Sequence, residues 1–277
     1  MIKSAYILAK NESKNIVRSV KALIDAGLQV SVLDSGSVDT TRDLAMQHGA
    51  EVVNYHYINH LLAYNQLTSS ASANEAILIL DADMIVSTKL IDEIYQILFT
   101  QAMRPDVVLT PISMYWEGQP LHYSSLCPPK PIAFRGGKSY FEPIGHGERL
   151  REGVHQQTTH SQLIHDDQKE LGQVLQTQAR YSRELLKRSL LGSLNLRDRI
   201  RVHSPLFVFI TPIYSYVIKR GFLDGRVGLI YAMDRLIAEA IAFRTAISPT
   251  IQADLQRDML EQTYHLNNTS APTSKLT

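Results

Sequence analysis

The stretch AILILDADMIVS, residues 76–87, is an apolar run that ends in two carboxylates, Asp81 and Asp83. A charge taken out of water is costly unless it is paired or bound to a metal. A short apolar run with polar residues at its end reads as a strand buried on both faces. Residues i and i+2 of a strand share a face. If the strand continues through Asp83, both carboxylates point the same way; if it has already turned, Asp83 reaches a ligand from the loop. Oxygen donors of this kind suit Mg2+ or Mn2+, with phosphates completing the shell. The simpler alternative is a capping aspartate beside a solvated one.

Outward from this stretch the chain alternates. SAYILA (4–9), QVSVLDS (29–35), EVVNYHY (51–57), AILILDAD (76–83) and DVVLTPISMYW (106–116) read as strands. Between them lie helical stretches, the first with Ile16, Val17, Val20, Leu23 and Ile24 at helical spacing and Gly27 as its stop. The second helix is expected to be capped near Ser37 or Asp39; the third spans 61–74. This order predicts an α/β fold, a Rossmann-like and mostly parallel sheet with helices on both faces. Polar clusters stand at three strand ends: Asn11–Glu12, Asp34–Ser35–Gly36–Ser37 and Asp81–Asp83. Ligands of open α/β sheets bind outside the carboxyl ends of the strands, so the three clusters predict one cleft. Asp34 can be a turn aspartate or an acceptor for a base or ribose; Asn11 and Glu12 can cap the first helix or hold a nucleotide edge. The glycine spacing is not that of a dinucleotide fold, and no phosphate-loop signature occurs.

From about 110 to 165 prolines, glycines, aromatics and charges mix, as in loops that form an acceptor wall. Glu148, in GHGERL, is a candidate base for an incoming hydroxyl, with His146 as its competitor. His165, in LIHDDQ, is a candidate third metal ligand. Arg135 and Lys138, in FRGGKSY, can neutralise phosphate or be plain surface charges. Between Arg180 and Arg201 seven Lys/Arg and two acids mix with leucines, and PLFVFITPIYSYVI follows. Such a segment suits an anionic bilayer surface; a homodimer or domain interface, or a helix packed on the sheet, is the alternative. The expected division is a catalytic domain over 1–168, with a nucleotide-sugar half to 110 and acceptor loops after it. A helical extension over 169–265 and a disordered tail over 266–277 complete it.

The 277 residues carry a net charge of +1, which gives little support to bulk nucleic-acid binding. The single cysteine, Cys127, excludes an internal disulfide and a cysteine zinc cluster. No signal-peptide pattern opens the sequence and no window reaches 18 apolar residues, so a cytoplasmic protein, peripheral on the membrane at most, is expected.

Together these motifs resemble the family 2 inverting glycosyltransferases of the GT-A fold, and within them the bacterial lipopolysaccharide-core beta-glucosyltransferase branch. LAKNESKNI (8–16), VLDSGSVDTTRDLAMQHGAEV (32–52) and LDADM (80–84) carry the resemblance most specifically, and FLDGRVGLIYAMDRLIAEAIAF (222–243) also fits the branch. The resemblance implies a UDP-sugar donor, glucose first, a Mg2+ or Mn2+ ion, and a glycan or glycolipid acceptor. It implies that Ala9, Asn11, Glu12, Asp34 and Ser35 contact the nucleotide, with Asp81 and Ala82 beside the base and ribose. Asp83 and His165 would hold the cation and Glu148 would be the base. Where the branch has a glutamine–lysine–asparagine triplet, AYNQ (63–66) stands, so Asn65 is assigned part of that role and no lysine is present. An extra glycine separates His146 from Glu148. A nucleotidyltransferase and a non-catalytic nucleotide-sugar-binding scaffold are the alternatives.

Overall fold

The computed structural model describes residues 2–100, 104–144 and 147–269, with side chains apart from those at 144, 147–148 and 262–269. The chain divides into two units, residues 1–170 with 215–231, and residues 171–214 with those from 232 on.

The first unit opens with β1 (Ile2–Ala9), α1 (Ile16–Asp25), β2 (Gln29–Asp34), α2 (Thr41–Gln47), β3 (Glu51–Asn54), α3 (His60–Ser70) and β4 (Ala76–Asp81). It continues with β5 (Met84–Ile85), α4 (Thr88–Tyr95), β6 (Val107–Thr110), β7 (Ile112–Trp116), β8 (Gln119–Pro120) and β9 (Lys130–Arg135). Strands β10 (Phe141–Ile144), β11 (Gly147–Leu150), β12 (Gln156–Thr158) and β13 (Leu163–Asp166) complete it. The main sheet runs β12-β6-β9-β4-β1-β2-β3. It is parallel except at β9, which lies antiparallel between β4 and β6. This is the α/β arrangement expected, with a mostly parallel sheet and a helical C-terminal region.

Both faces of the sheet are buried, and alternate residues of each strand serve different cores. Ile7, Val32, Leu78 and Leu80 pack with Ile16, Val20 and Leu23 of α1 and Leu90 and Ile94 of α4. Their neighbours Leu8, Leu33, Ile77 and Ile79 pack on the other face with Tyr64, Phe134 and Phe141. That double burial is why the strands read as continuous apolar runs.

Several expected boundaries move. The strand expected over 106–116 is two, β6 in the main sheet and β7 in a second sheet ordered β5-β13-β7-β8. Pro111 separates them, because it has no N–H to continue the ladder. The third strand stops at Asn54 rather than 57. At the start of α2, Thr40 occupies the cap position, while the Asp39 carboxylate accepts the N–H of Thr41 (3.0 Å). Gly136 is required by a close approach: a Cβ there would lie 2.2 Å from the Ser72 carbonyl oxygen.

Residues 215–231 belong to the first unit. There the Asp224 carboxylate accepts the N–H groups of His122 (2.9 Å), Tyr123 (3.1 Å) and Ser124 (2.8 Å) and the Ser124 hydroxyl. Tyr231 packs edge-on against Trp116.

The second unit is helical. It contains α5 (Leu171–Leu190), α6 (Leu196–His203), α7 (Phe207–Ile213), most of α8 (Gly225–Ile247) and α9 (Pro249–Thr269). Its core gathers Leu185, Val202, Ala242 and Ala246, beside an Arg201–Glu239 ion pair at 2.5 Å. Of the expected tail, 266–269 continue α9, and 270–277 lie outside the described residues.

Candidate active site

Register brings the three strand ends together. Ala9, the last residue of β1, stands opposite Asp34, the last of β2, and Leu8 opposite Asp81, the last of β4. The turns beyond them are stitched. The Ser35 N–H donates to the Ala9 carbonyl (2.9 Å). Asn11 takes the left-handed conformation (φ +56°), which suits asparagine better than most residues. Its N–H donates to the Ser37 hydroxyl (2.8 Å) and its side-chain oxygen accepts from the Val38 N–H (2.9 Å). The Glu12 N–H donates to the Thr41 hydroxyl (2.7 Å).

Asp34 is buried. Its Oδ2 accepts from the N–H groups of Gly36 (3.2 Å) and Ser37 (3.1 Å) and from Arg42 (3.0 Å). Burial pushes its pKa up, but the hydrogen bonds from Ser37, Arg42 and Gly36 outweigh it and hold it below the ordinary carboxylate value. Its other oxygen, Oδ1, is buried with no partner among the described residues.

Strand β4 ends at Asp81, so Asp83 stands in the turn before β5 and the two carboxylates part company. Ala82 between them is buried. Asp81 forms an ion pair with the ammonium of Lys130. Burial works to lower the Lys130 pKa, but Asp81 foremost, with Asp83 also near, raises it above the ordinary lysine value. Asp83 lies 3.2 Å from Nε2 of His165. Strand β13 delivers this histidine by pairing antiparallel with β5, with His165 opposite Met84. Burial alone would raise the Asp83 pKa, yet His165 holds it down; His165 is in turn raised by Asp83 against its own burial. Asp83 Oδ1 is buried without a partner.

No three His, Cys, Asp or Glu residues converge on a metal position among the described residues. Asp83 and His165 do converge, and an unpartnered buried carboxylate oxygen fits a divalent cation that keeps its other positions for phosphates and water.

The segment after β13 is fastened to the β1–α1 turn residue by residue. Asp166 pairs with Arg18, whose Nη2 also donates to the Asp166 carbonyl (2.7 Å). Asn15 donates to Asp167 (2.9 Å) and accepts from the Gln168 N–H (3.1 Å). Lys169 meets Glu12 at 2.6 Å, and Glu170 meets Lys14 at 2.5 Å. The Glu12 carboxylate is thus engaged by Lys169 and Asn15; burial is the larger effect and leaves its pKa above the ordinary value.

The Asn65 amide serves the backbone. It donates to the Phe141 carbonyl (2.9 Å) and accepts the Phe141 N–H (3.0 Å), tying α3 to the β10–β11 hairpin. Glu148 falls on β11 opposite Pro143. Its side chain, and His146 entirely, lie outside the described residues. Beside this tie α3 and the 55–58 loop line an open groove of about 330 Å3 that includes Tyr55, Asn65 and Ser139.

Of the basic residues on β9 and just after it, the one at the strand ends is not among those singled out from the sequence. Because β9 runs antiparallel, Arg135 stands opposite Ala76 at the start of β4, away from the carboxyl ends, and Lys138 pairs with Asp106 (2.9 Å). Lys130, the first residue of the same strand, stands at the carboxyl end. The sequence signal was a lysine between two prolines opening an apolar strand. Its meaning depends on strand direction, which local sequence does not carry.

Residues 4–121 match the family model described as glycosyl transferase family 2. An uncharacterized glycosyltransferase of Rickettsia felis is 35% identical over 91 residues, 33% of this chain and 32% of that protein. One from Rickettsia conorii is 34% identical over 91 residues, with the same coverage. The chain spans about a third of the length of these curated relatives. Among solved structures, glucosyl-3-phosphoglycerate synthase from Mycobacterium tuberculosis, in complex with Mn2+, UDP and glucosyl-3-phosphoglycerate, superposes with a TM-score of 0.34. That match is 20% identical and covers 41% of this chain and 44% of the other. The same enzyme with Mg2+ and UDP gives 0.32 at 21% identity, over 42% and 44%. The likeness to glycosyl transferase family 2 thus lies over residues 4–121, less than half of the 277 residues.

Proposed function

We propose that the chain is an inverting glycosyltransferase. It would move a hexose, glucose first, from a UDP-sugar to a hydroxyl of a bacterial lipopolysaccharide core or similar cell-surface glycan. The observation that carries this reading is the meeting of three strand ends around two buried carboxylate oxygens without partners, on Asp34 and Asp83. An acceptor oxygen at the end of β2 suits an N–H of a nucleotide base, and one beside a histidine suits a cation.

In this reading Asp83 and His165 hold Mg2+ or Mn2+, which supplies electrostatic stabilisation of the departing diphosphate. Lys130 adds a fixed positive charge at the same strand ends, which favours the charge growing on that leaving group. Asp34 orients the base. Asn11 fixes the turn through its hydrogen bonds to Ser37 and Val38. Glu148 takes the proton of the acceptor hydroxyl; the acceptor oxygen bonds to the anomeric carbon as the bond from that carbon to the diphosphate breaks. The reading places the protein in the cytoplasm, peripheral on the inner face of the cytoplasmic membrane where a lipid-linked acceptor is found. No described helix is long and apolar enough to cross a membrane.

The test is release of nucleoside diphosphate from a panel of nucleotide sugars with Mn2+ and an oligosaccharide acceptor. Acceptor-dependent release of UDP is expected, reduced at least about 100-fold by Asp83→Ala, more than losing an outer-shell partner costs. Pyrophosphate release from a nucleoside triphosphate would instead establish a nucleotidyltransferase. Binding without turnover would establish a scaffold.

A further inference from the structure

Within the second unit, α7 turns an apolar face to solvent. Leu206, Phe209, Ile210, Ile213 and Tyr214 recur at spacings of three and four, the period of one helix face. They are 70%, 54%, 51%, 53% and 47% exposed. Pro212, on the opposite side, is buried. A monomeric protein rarely exposes so continuous an apolar row without a use for it.

In sequence, the nearest charges on either side of it are basic. Ser204 to Ile218 contains no charged residue, and the run is bounded by Arg197, Arg199 and Arg201 before it and Lys219 and Arg220 after it. On α6, Arg197 and Arg199 are exposed beside Leu196 and Ile200, while that helix's one acid, Asp198, is buried. A second copy docking by the same face would be isologous and would set these arginines against themselves. A surface of anionic headgroups complements them, and it accepts an apolar helix face lying in the plane of the interface.

We propose that the exposed face of α7, flanked by the arginines of α6, docks on an anionic membrane surface. The face would enter the headgroup–acyl boundary with the arginines at the phosphates. A transferase acting on a lipid-linked acceptor would profit from such docking, but the docking itself does not depend on the transfer reaction.

The test is sedimentation of the full chain with vesicles of phosphatidylglycerol and phosphatidylethanolamine, against vesicles of phosphatidylcholine alone. Binding to the anionic vesicles, weakened by salt, is expected. The double variant Phe209→Ser/Ile213→Ser should weaken it about tenfold or more, from lost apolar burial. Arg197→Glu/Arg199→Glu, confined to exposed residues, should weaken it by a similar factor and reduce the salt dependence. Circular dichroism and the melting temperature check that each variant is folded. The proposal is overturned if the parent chain does not bind anionic vesicles, or if both folded variants bind as the parent does. It is also overturned if the parent is a dimer that the Phe209/Ile213 variant dissolves without any change in vesicle binding. Because no donor is present, these outcomes leave the glycosyltransferase reading untouched.

Discussion

Two carboxylates, each with one buried and unpartnered oxygen, and one lysine concentrate the chemistry at the residue scale. The donors around Asp34 all converge on Oδ2, which leaves Oδ1 for a ligand. In Asp34→Asn the side-chain oxygen would stay with those donors and the amide nitrogen would turn to the ligand, donor against donor. The expected result is a rise of about tenfold in KM for the nucleotide sugar with kcat little changed, the mark of lost ground-state binding. Lys130 is tied to Asp81 with both side chains about a quarter exposed. Lys130→Met should therefore destabilise by about 1–3 kcal/mol, less than breaking a fully buried pair. Adding Asp81→Asn should recover part of that loss, and urea unfolding of the cycle measures the coupling. The carboxylates were legible in the sequence because polar residues at the end of apolar runs are conspicuous. Lys130 was not, because the same lysine would face away from the site had β9 run parallel.

Turns and hairpins anchored by single side chains set the element scale. The Asn65 amide holds Phe141 at the root of the hairpin that bears Glu148. Asn65→Ala should lower kcat about tenfold while donor affinity, measured by titration, stays within a factor of about two, since misplacing a reacting group costs rate. Asp224 gathers three N–H groups and a hydroxyl of the 122–124 loop. Burial alone would raise its pKa, but Ser124 and the other donors outweigh that and hold it below 3.8. The unfolded state thus binds the proton more readily than the folded one. The contribution of Asp224 is complete above about pH 4 and is lost as pH falls through its lowered folded value. Asp224→Ala should cost about 1–3 kcal/mol at pH 7. Thermal melts from pH 6 to pH 2 should show a shallower acid decline for the variant than for the parent. Pro111, which splits β6 from β7, was visible in the sequence; which sheet each half joins was not, since their partners lie in β9, β12 and β13.

For the whole molecule, the alternating strands and helices of the first hundred residues made the sheet readable, because each unit is local in sequence. The later chain was harder. The residues from Asp166 to Glu170 return to the β1–α1 turn and the start of α1 some 150 positions earlier, and residues 215–231 rejoin the first unit through Asp224. Neither return has a local signature beyond a cluster of charges and an aspartate–glycine pair. The effect of the first is that the β1–α1 turn is held by the same segment that supplies His165 to Asp83. Asp34, Asp83 and His165 are proposed to form one site for a nucleoside diphosphate and a divalent cation. Calorimetric titration of UDP, with and without Mn2+, into the parent chain and Asp83→Ala tests it most directly. Mn2+ should tighten UDP binding at least about tenfold in the parent and have no effect in the variant. Equal UDP affinity in both proteins at every Mn2+ concentration would contradict it.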